Sequence, residues 1–337
     1  MIKVAINGYG RIGRNVHRQF LSRFPDEMEV VAVNASSAAD MRAYLLRYDS
    51  LHGRCDADIC VVDEDHIAVN EKNVRVVKEK EPAKCPWKEL GVDIVVESTG
   101  KFTKAETAKG HLDAGAKKVV VTAPMKDATP TFVIGVNESE LRADMDIISN
   151  ASCTTNCIAP IIKIIHGTFG IEHLLVSSVH AFTVSQNLLD NKGEDNDFRR
   201  SRAATLSMIP TKTGAVKACA AIFPDLKGKI DGMAFRVPVP TVSCSYMAFT
   251  LQKDTTAEDV LRNLRTAADG EMKDILSVSD EELVSIDFQT DPHSSIVDSS
   301  FTKVINNRSL QLLSWYDNEW GYAMRVTEMV NRISSFL

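Results

Sequence analysis

Residues 2–24, IKVAINGYGRIGRNVHRQFLSRF, decide the fold. IKVAIN is a short apolar run of strand type, and from Arg11 the spacing turns helical, so a strand passes into a helix through Gly8, Gly10 and Gly13. A second apolar run, EVVAVN (29–34), completes a βαβ unit. Three glycines at G-x-G-x-x-G spacing permit a tight turn and close backbone approach. They leave free N–H groups at a helix N-terminus, where a pyrophosphate is stabilised. The alternative is a glycine turn that is merely structural.

Further runs, VDIVVES (92–98), KKVVVTA (117–123) and DIISN (146–150), are nearly continuous in apolar residues, as strands covered on both faces are. They predict an α/β architecture with a doubly wound parallel sheet over residues 1–150. The second half carries longer strand candidates, HLLVSSVHAF, GKIDGMAFRVPVP, TVSCSYMAFTLQ, ELVSIDF and LQLLSWYD, which predict an α+β domain on a mostly antiparallel sheet. TAEDVLRNLRTAADG and the tail YAMRVTEMVNRISSFL have helical spacing.

At 337 residues, two domains are expected. Apolar residues at 44% and charged residues at 25% are ordinary for a globular chain, and a net charge of −6 argues against nucleic acid or an anionic membrane as the main partner. Seven cysteines, odd in number and irregular in spacing, point to a reduced, cytoplasmic setting. No signal-peptide pattern and no span-length apolar segment is seen.

In the segment SNASCTTNCIAP (149–160), Cys153 follows a strand and opens an apolar helical run. A helix N-terminus lowers a thiol pKa, and the thiolate is the reactive form. Ser152, Thr154 and Thr155 offer caps and N–H groups for an oxyanion. A lone cysteine in such a place is more often structural. His180 ends a strand in SSVHAFT, as a base for Cys153 or as a satisfied strand histidine. Thr183, Arg199, Arg200, Arg202, PTKTG (210–214) and Arg236 supply donors that suit phosphate, or form a solvated loop. Cys153 and Cys157 make C-x₃-C without a second ligand pair, so no metal is expected. After the second strand, Ala35 stands where an acid normally binds the ribose hydroxyls. Ser36, Ser37 and Arg42 could instead donate to a 2′-phosphate, or Asn34 or Asp40 could hold an ordinary ribose.

AINGYGRIGR, SNASCTTNCIAP, PTKTGAVKA, FRVP and SWYDNEWGY, in this order and with 27 positions between Cys153 and His180, resemble the phosphorylating glyceraldehyde-3-phosphate dehydrogenase family nearly end to end. The resemblance implies a cytoplasmic homotetramer whose Rossmann-type domain, residues 1–150, is completed by 319–337, with residues 151–318 catalytic. It implies Cys153 as nucleophile, kept ionised by its helix terminus and by His180, which acts as base. Glyceraldehyde 3-phosphate and inorganic phosphate would be the substrates. Gly8, Gly10, Arg11, Ile12 and Gly13 would contact the pyrophosphate of NAD or NADP, with Asn34, Ala35, Ser36, Lys80, Thr99, Thr122 and Tyr322 around the cofactor and Asn318 on its carboxamide. Thr183 and Arg236 would bind the substrate phosphate. Ser152, Thr154, Thr213 and Gly214, with Arg200 near, would bind the attacking phosphate.

The chain departs from the family pattern at Ala35, where NAS resembles the branch that uses NADP, at Phe182 and Lys80, and in the longer DNKGEDND loop. Erythrose-4-phosphate dehydrogenase is the near alternative, against which Thr183 and the Thr213–Gly214 pair speak. A redox sensor or macromolecule-binding protein acting through Cys153 is the alternative of another class.

Overall fold

A computed structural model of the protein describes residues 1–193 and 197–337. These form two compact units, Met1–Ala151 with Ala323–Leu337, and Ser152–Tyr322. Part of the DNKGEDND loop lies outside the described residues.

The first unit runs β1 (Ile2–Asn7), α1 (Arg11–Arg23), β2 (Met28–Asn34), α2 (Ala39–Arg47), β3 (Tyr48–Asp49), β4 (Gly53–Arg54), β5 (Ile59–Asp63), β6 (His66–Val69), β7 (Lys72–Val77), α3 (Trp87–Leu90), β8 (Ile94–Glu97), α4 (Ala105–Ala108), α5 (Gly110–Asp113), β9 (Lys118–Val121) and β10 (Ile147–Ser149). The sheet order is β10-β9-β8-β1-β2-β7-β6-β5. The ladders from β10 to β7 are parallel. Val4–Ala5–Ile6 and Ile94–Val95–Val96 are inaccessible along consecutive residues, which requires cover on both faces and explains their unbroken apolar sequence. The antiparallel extension β5–β6–β7 is absent from the strands expected from sequence. Four of the five residues of β5 are exposed, so no buried apolar run marks it.

The second unit contains α6 (Cys153–Phe169), β11 (Ile171–Ala181), β12 (Ile209–Thr211), α7 (Ala215–Ile222), β13 (Ile230–Val237), β14 (Ser243–Leu251), α8 (Ala257–Asp269), β15 (Leu276–Ser279), β16 (Ser295–Ile305), β17 (Ser309–Tyr316) and the start of α9 (Trp320–Ser334). Its sheet, β12-β13-β11-β14-β17-β16-β15, is antiparallel except for the ladders β11–β13 and β15–β16. Thr256 caps α8 by accepting from Asp259 N at 3.1 Å. ELVSIDF, expected as a strand, is instead a helical turn over Ser285–Phe288. The Asp287 carboxylate accepts from Val284 N at 2.8 Å, and Phe288 stacks on Trp315. A local side-chain bond there competes with a ladder.

On β11, Leu174, Val176, Ser178 and His180 are buried while Leu175 and Val179 are exposed. The period of two therefore puts His180 on the buried face, against which α6 packs. Among the described residues no helix is long and apolar enough to cross a membrane.

Candidate active site

Cys153 is the first residue of α6. Ser152 is its N-cap, its Oγ accepting from Thr155 N at 3.1 Å. Parallel pairing of β11 with β13 sets Arg236 directly beside His180, and pairing of β14 with β17 sets Tyr316 beside Ser243. Because Val179 pairs with Cys244, His180 and Ser243 follow on the adjoining strands. Arg236, His180, Ser243 and Tyr316 thus form one row across four strands.

His180 Nε2 lies 3.4 Å from Cys153 Sγ. Its Nδ1 is 2.7 Å from the Ala181 carbonyl oxygen and 2.6 Å from Arg236 Nη1, which also donates to that carbonyl at 3.0 Å. Tyr316 meets the imidazole edge-on, and its hydroxyl pairs with Thr154 Oγ1 at 2.9 Å and Ser178 Oγ at 3.0 Å. Tyr316 stands in the SWYDNEWGY motif, but that motif alone does not show that its hydroxyl braces α6. Asn318 Oδ1 accepts from Ser243 Oγ at 2.8 Å, and Ser243 Oγ accepts from Ala181 N at 3.0 Å, so Asn318 is tied to the end of β11.

The thiolate expected at the helix terminus meets an opposing influence from burial. Burial raises the Cys153 thiol, although the Arg236 charge and the hydrogen bonds around Thr154 pull the other way. Burial, with Arg236 and Arg200 adding to it, holds His180 down at about 3 against the pull of the Ala181 carbonyl. Desolvation is the largest influence on both groups.

The other phosphate candidates sit in their own turns. The Thr183 hydroxyl pairs with Ser185 Oγ at 3.0 Å, and Arg200 Nε donates to Thr211 Oγ1 at 3.2 Å. Thr213 Oγ1 accepts from Ala215 N at 3.2 Å at the start of α7, whose N-cap is Gly214. Among the described residues, no cluster of three or more His, Cys, Asp or Glu side chains suits a metal ion.

In the first unit, Gly8 has φ +94°, and a Cβ there would come within 2.6 Å of Thr99 N. A Cβ on Gly13 would strike the Gly8 carbonyl at 2.3 Å. Gly10 is the N-cap of α1 with no side-chain cap, and a Cβ on it would meet nothing within 4 Å. Open space over uncapped N–H groups fits the pyrophosphate of a dinucleotide. Ile12 lies in the first turn of α1.

Arg11, expected on the pyrophosphate, directs its guanidinium to Asp49. Burial works against the Asp49 charge, but Arg11 and the backbone N–H groups of Leu51 and His52 hold the carboxyl down to about 2. Asn34, expected at the ribose, is held by hydrogen bonds on both ends of its amide. Its Nδ2 donates to Asn7 Oδ1 and the Glu79 carbonyl, and its Oδ1 accepts from Glu79 N, so it clamps the loop bearing the exposed Lys80.

A buried network absent from the sequence reading joins these strand ends. Trp87 Nε1 donates to His111 Nδ1 at 3.0 Å, so the imidazole proton sits on Nε2, 3.0 Å from Glu97 Oε2. Glu97 also accepts from Asn7 Nδ2 and from the backbone and hydroxyl of Thr99. Thr122 N donates to the Glu97 carbonyl at 2.9 Å. Beyond β2, Ala35 is half-buried and Ser36 exposed, while the Ser37 hydroxyl is enclosed without a partner. Arg14 and Arg42 both donate to the Tyr9 carbonyl, at 3.0 and 3.4 Å.

Two family models match the chain. The glyceraldehyde 3-phosphate dehydrogenase NAD binding domain covers residues 2–105, and the C-terminal domain of that family covers 152–318. Relatives run the full length. The chain is 48% identical over 335 residues to glyceraldehyde-3-phosphate dehydrogenase 2 of Bacillus subtilis, covering 99% of this chain and 97% of the relative. It is 48% identical over 340 residues to that dehydrogenase of Mycobacterium avium, covering 100% and 99%, and 46% identical over 329 residues to the chloroplastic A form of Chlamydomonas reinhardtii, covering 97% and 87%. With a cysteine–histidine pair at the start of α6 and an uncapped dinucleotide cradle at α1, the chain belongs to the glyceraldehyde-3-phosphate dehydrogenase family.

Proposed function

We propose that the protein is an oxidoreductase that converts glyceraldehyde 3-phosphate and inorganic phosphate to 1,3-bisphosphoglycerate. The observation that carries this is Cys153 Sγ at 3.4 Å from His180 Nε2, with Arg236 beside the imidazole. Cys153 adds to the aldehyde carbon to form a hemithioacetal, whose hydroxyl proton His180 takes at Nε2. A bound nicotinamide dinucleotide supplies the hydride acceptor. The oxidation leaves a thioester on Cys153. A phosphate oxygen attacks it, aided by Ser152, Thr154, Thr213, Gly214 and Arg200, and the thiolate leaves. Arg236 and Thr183 hold the phosphate of the substrate.

The first unit binds the dinucleotide through Gly8, Gly10, Ile12 and Gly13, with Thr99 and Thr122 alongside. Asn318 takes the carboxamide, with Tyr322 next to the start of the C-terminal segment. NAD is used, and NADP equally or better. Ala35 brings no negative charge against a 2′-phosphate, and Ser36, Ser37 and Arg42 are donors near the glycine turn.

The protein assembles as a homotetramer. Leu175, Met233, Tyr246, Phe301 and Ile305 are exposed on one face of the second sheet, a patch of the kind that marks association. Initial rates of NAD and NADP reduction, with and without phosphate and on triose and tetrose phosphates, test the activity. Phosphate-independent turnover, or preference for the tetrose, would overturn this function.

A further inference from the structure

The Tyr316 hydroxyl lies 2.9 Å from Thr154 Oγ1 and 3.0 Å from Ser178 Oγ, so it joins the first turn of α6 to β11 and β17. All three side chains are buried, Ser178 completely. Each hydroxyl has a single proton to donate, and the order in which the three bonds run decides where the last proton points.

If Thr154 donates to Tyr316 and Tyr316 to Ser178, the Ser178 proton is stranded. Among the described residues, the Tyr316 hydroxyl is the one group bonded to Ser178 Oγ. Ser245, its neighbour across the β11–β14 ladder, makes no bond to it. An unmet donor in a dry interior is costly. In the opposite order Ser178 donates to Tyr316 and Tyr316 to Thr154. The remaining proton, on Thr154 Oγ1, is then free to point toward Cys153 Sγ, 4.0 Å away. Every buried proton has an acceptor only in this second order. Burial pushes the Tyr316 phenol above its ordinary value, against the pull of Ser178 and Thr154, so it keeps the proton that it donates.

We propose that Ser178 and Tyr316 are positioning residues for the phosphate step: their hydroxyls, bonded in series, turn the Thr154 O–H into the site as a donor for the inorganic phosphate that attacks the thioester. The proposal rests on the role given above to Thr154. Bonds in series polarise one another, so Thr154 is also a stronger donor than an isolated threonine at a helix start. Tyr316 serves the site in a second way, its ring meeting the His180 imidazole edge-on. Phenylalanine would keep that ring contact and remove the relay.

The test uses the full-length protein with its nicotinamide cofactor. Cofactor reduction on glyceraldehyde 3-phosphate without inorganic phosphate reads thiol addition and hydride transfer, and steady-state rates against inorganic phosphate read the later attack. In Tyr316→Phe the first should stay within about twofold of wild type while KM for inorganic phosphate rises about tenfold, the scale of weakening a hydrogen bond to an anion. Ser178→Ala should move that KM the same way by about threefold, and no change there removes Ser178 from the relay. Because phenylalanine strands the Ser178 hydroxyl, Ser178→Ala/Tyr316→Phe is made as well and should match Tyr316→Phe on phosphate. In a Thr154→Ala background, Tyr316→Phe should leave the phosphate KM where Thr154→Ala alone puts it, whereas a tyrosine that only packs adds its effect in either background. Titration calorimetry of inorganic phosphate on the cofactor-loaded protein repeats the comparison without turnover. Unmoved phosphate KM and affinity in folded Tyr316→Phe, an equal fall in cofactor reduction, or additivity of Tyr316→Phe with Thr154→Ala overturns the proposal. A chain that oxidises no triose phosphate, yet loses phosphate affinity on Tyr316→Phe only while Thr154 is present, refutes the function and keeps the relay. One that turns over with its phosphate KM unmoved refutes the relay alone.

Discussion

Cys153 and Cys157 lie one turn apart on α6 and differ in what surrounds the sulfur. Cys157 is fully enclosed, with Ser295 Oγ at 4.0 Å as a weak partner, and burial pushes its thiol up to about 12. Cys153 has an imidazole at 3.4 Å and a guanidinium charge pulling its thiol down. Cys153→Ser should abolish turnover in a folded protein, while Cys157→Ser keeps turnover within about tenfold. Steady-state rates check both, and equal losses would remove the nucleophile assignment. Ala35 is the other residue at which one side chain decides behaviour. Ala35→Asp places a like charge beside a 2′-phosphate and should shift kcat/KM from NADP toward NAD by several-fold to about a hundredfold, roughly 1 to 3 kcal/mol. Side-by-side kinetics with the two cofactors measure this, and a wild-type preference for NAD above about a hundredfold, unaltered by the substitution, would exclude NADP use.

At the scale of elements, α6 carries the site on its first turn. Ser152 Oγ accepts from Thr155 N and pairs with the Thr155 hydroxyl, so the cap sets where the helix begins and where Cys153 points. Ser152→Ala should cost about 1 kcal/mol of stability in urea unfolding. It should also change the alkylation rate of Cys153, whereas the same substitution at Ser309, at the start of β17, should leave that rate alone. The helix runs through Pro160, which has no N–H to give to the helical ladder. A helix buried along Ile158, Ile161, Ile162 and Ile165 offsets that loss by packing. β11 does for His180 what the cap does for Cys153: a shift of one residue in its register would carry His180 to the exposed face.

For the molecule as a whole, acid and association are the two informative perturbations. His17 is buried in α1 with Nδ1 2.6 Å from the Tyr9 hydroxyl, and burial lowers it to about 3. The unfolded chain takes up this proton below about 6.5, and the native one only near 3. Between those values unfolding binds an extra proton, so stability falls as pH falls, by up to about 1.4 kcal/mol per pH unit from this group. His17→Gln should reduce the proton uptake on unfolding at pH 5 by about one, read from the pH dependence of urea midpoints, and an unchanged slope would mean that His17 is protonated in the native state. The exposed face of the second sheet carries Leu175, 58% accessible, at its centre. In the proposed homotetramer, Leu175→Glu should lower the mass seen by sedimentation to that of smaller species. An unchanged mass would place the contacts elsewhere.

Sequence alone determined the features that depend on local chemistry. The strand–glycine–helix order at 2–24 follows from periodicity and from the need for small residues where Gly8 and Gly13 meet backbone. The central parallel strands announce themselves because burial on both faces leaves no polar alternation. Cys153 at a helix start, and the motifs that mark the family, are equally local. Tertiary structure decided what depends on residues far apart in the chain. It brought Arg236 onto His180 across a parallel ladder, 56 positions apart, and Tyr316 onto Thr154, 162 apart. It turned Arg11 to Asp49, enclosed Asn34 in the Glu97–His111 network and made ELVSIDF a turn. It also set the burial that acts on the site's titratable groups. A helix terminus lowers a thiol pKa locally, but desolvation is a property of everything packed around the sulfur, and here burial raises the Cys153 thiol.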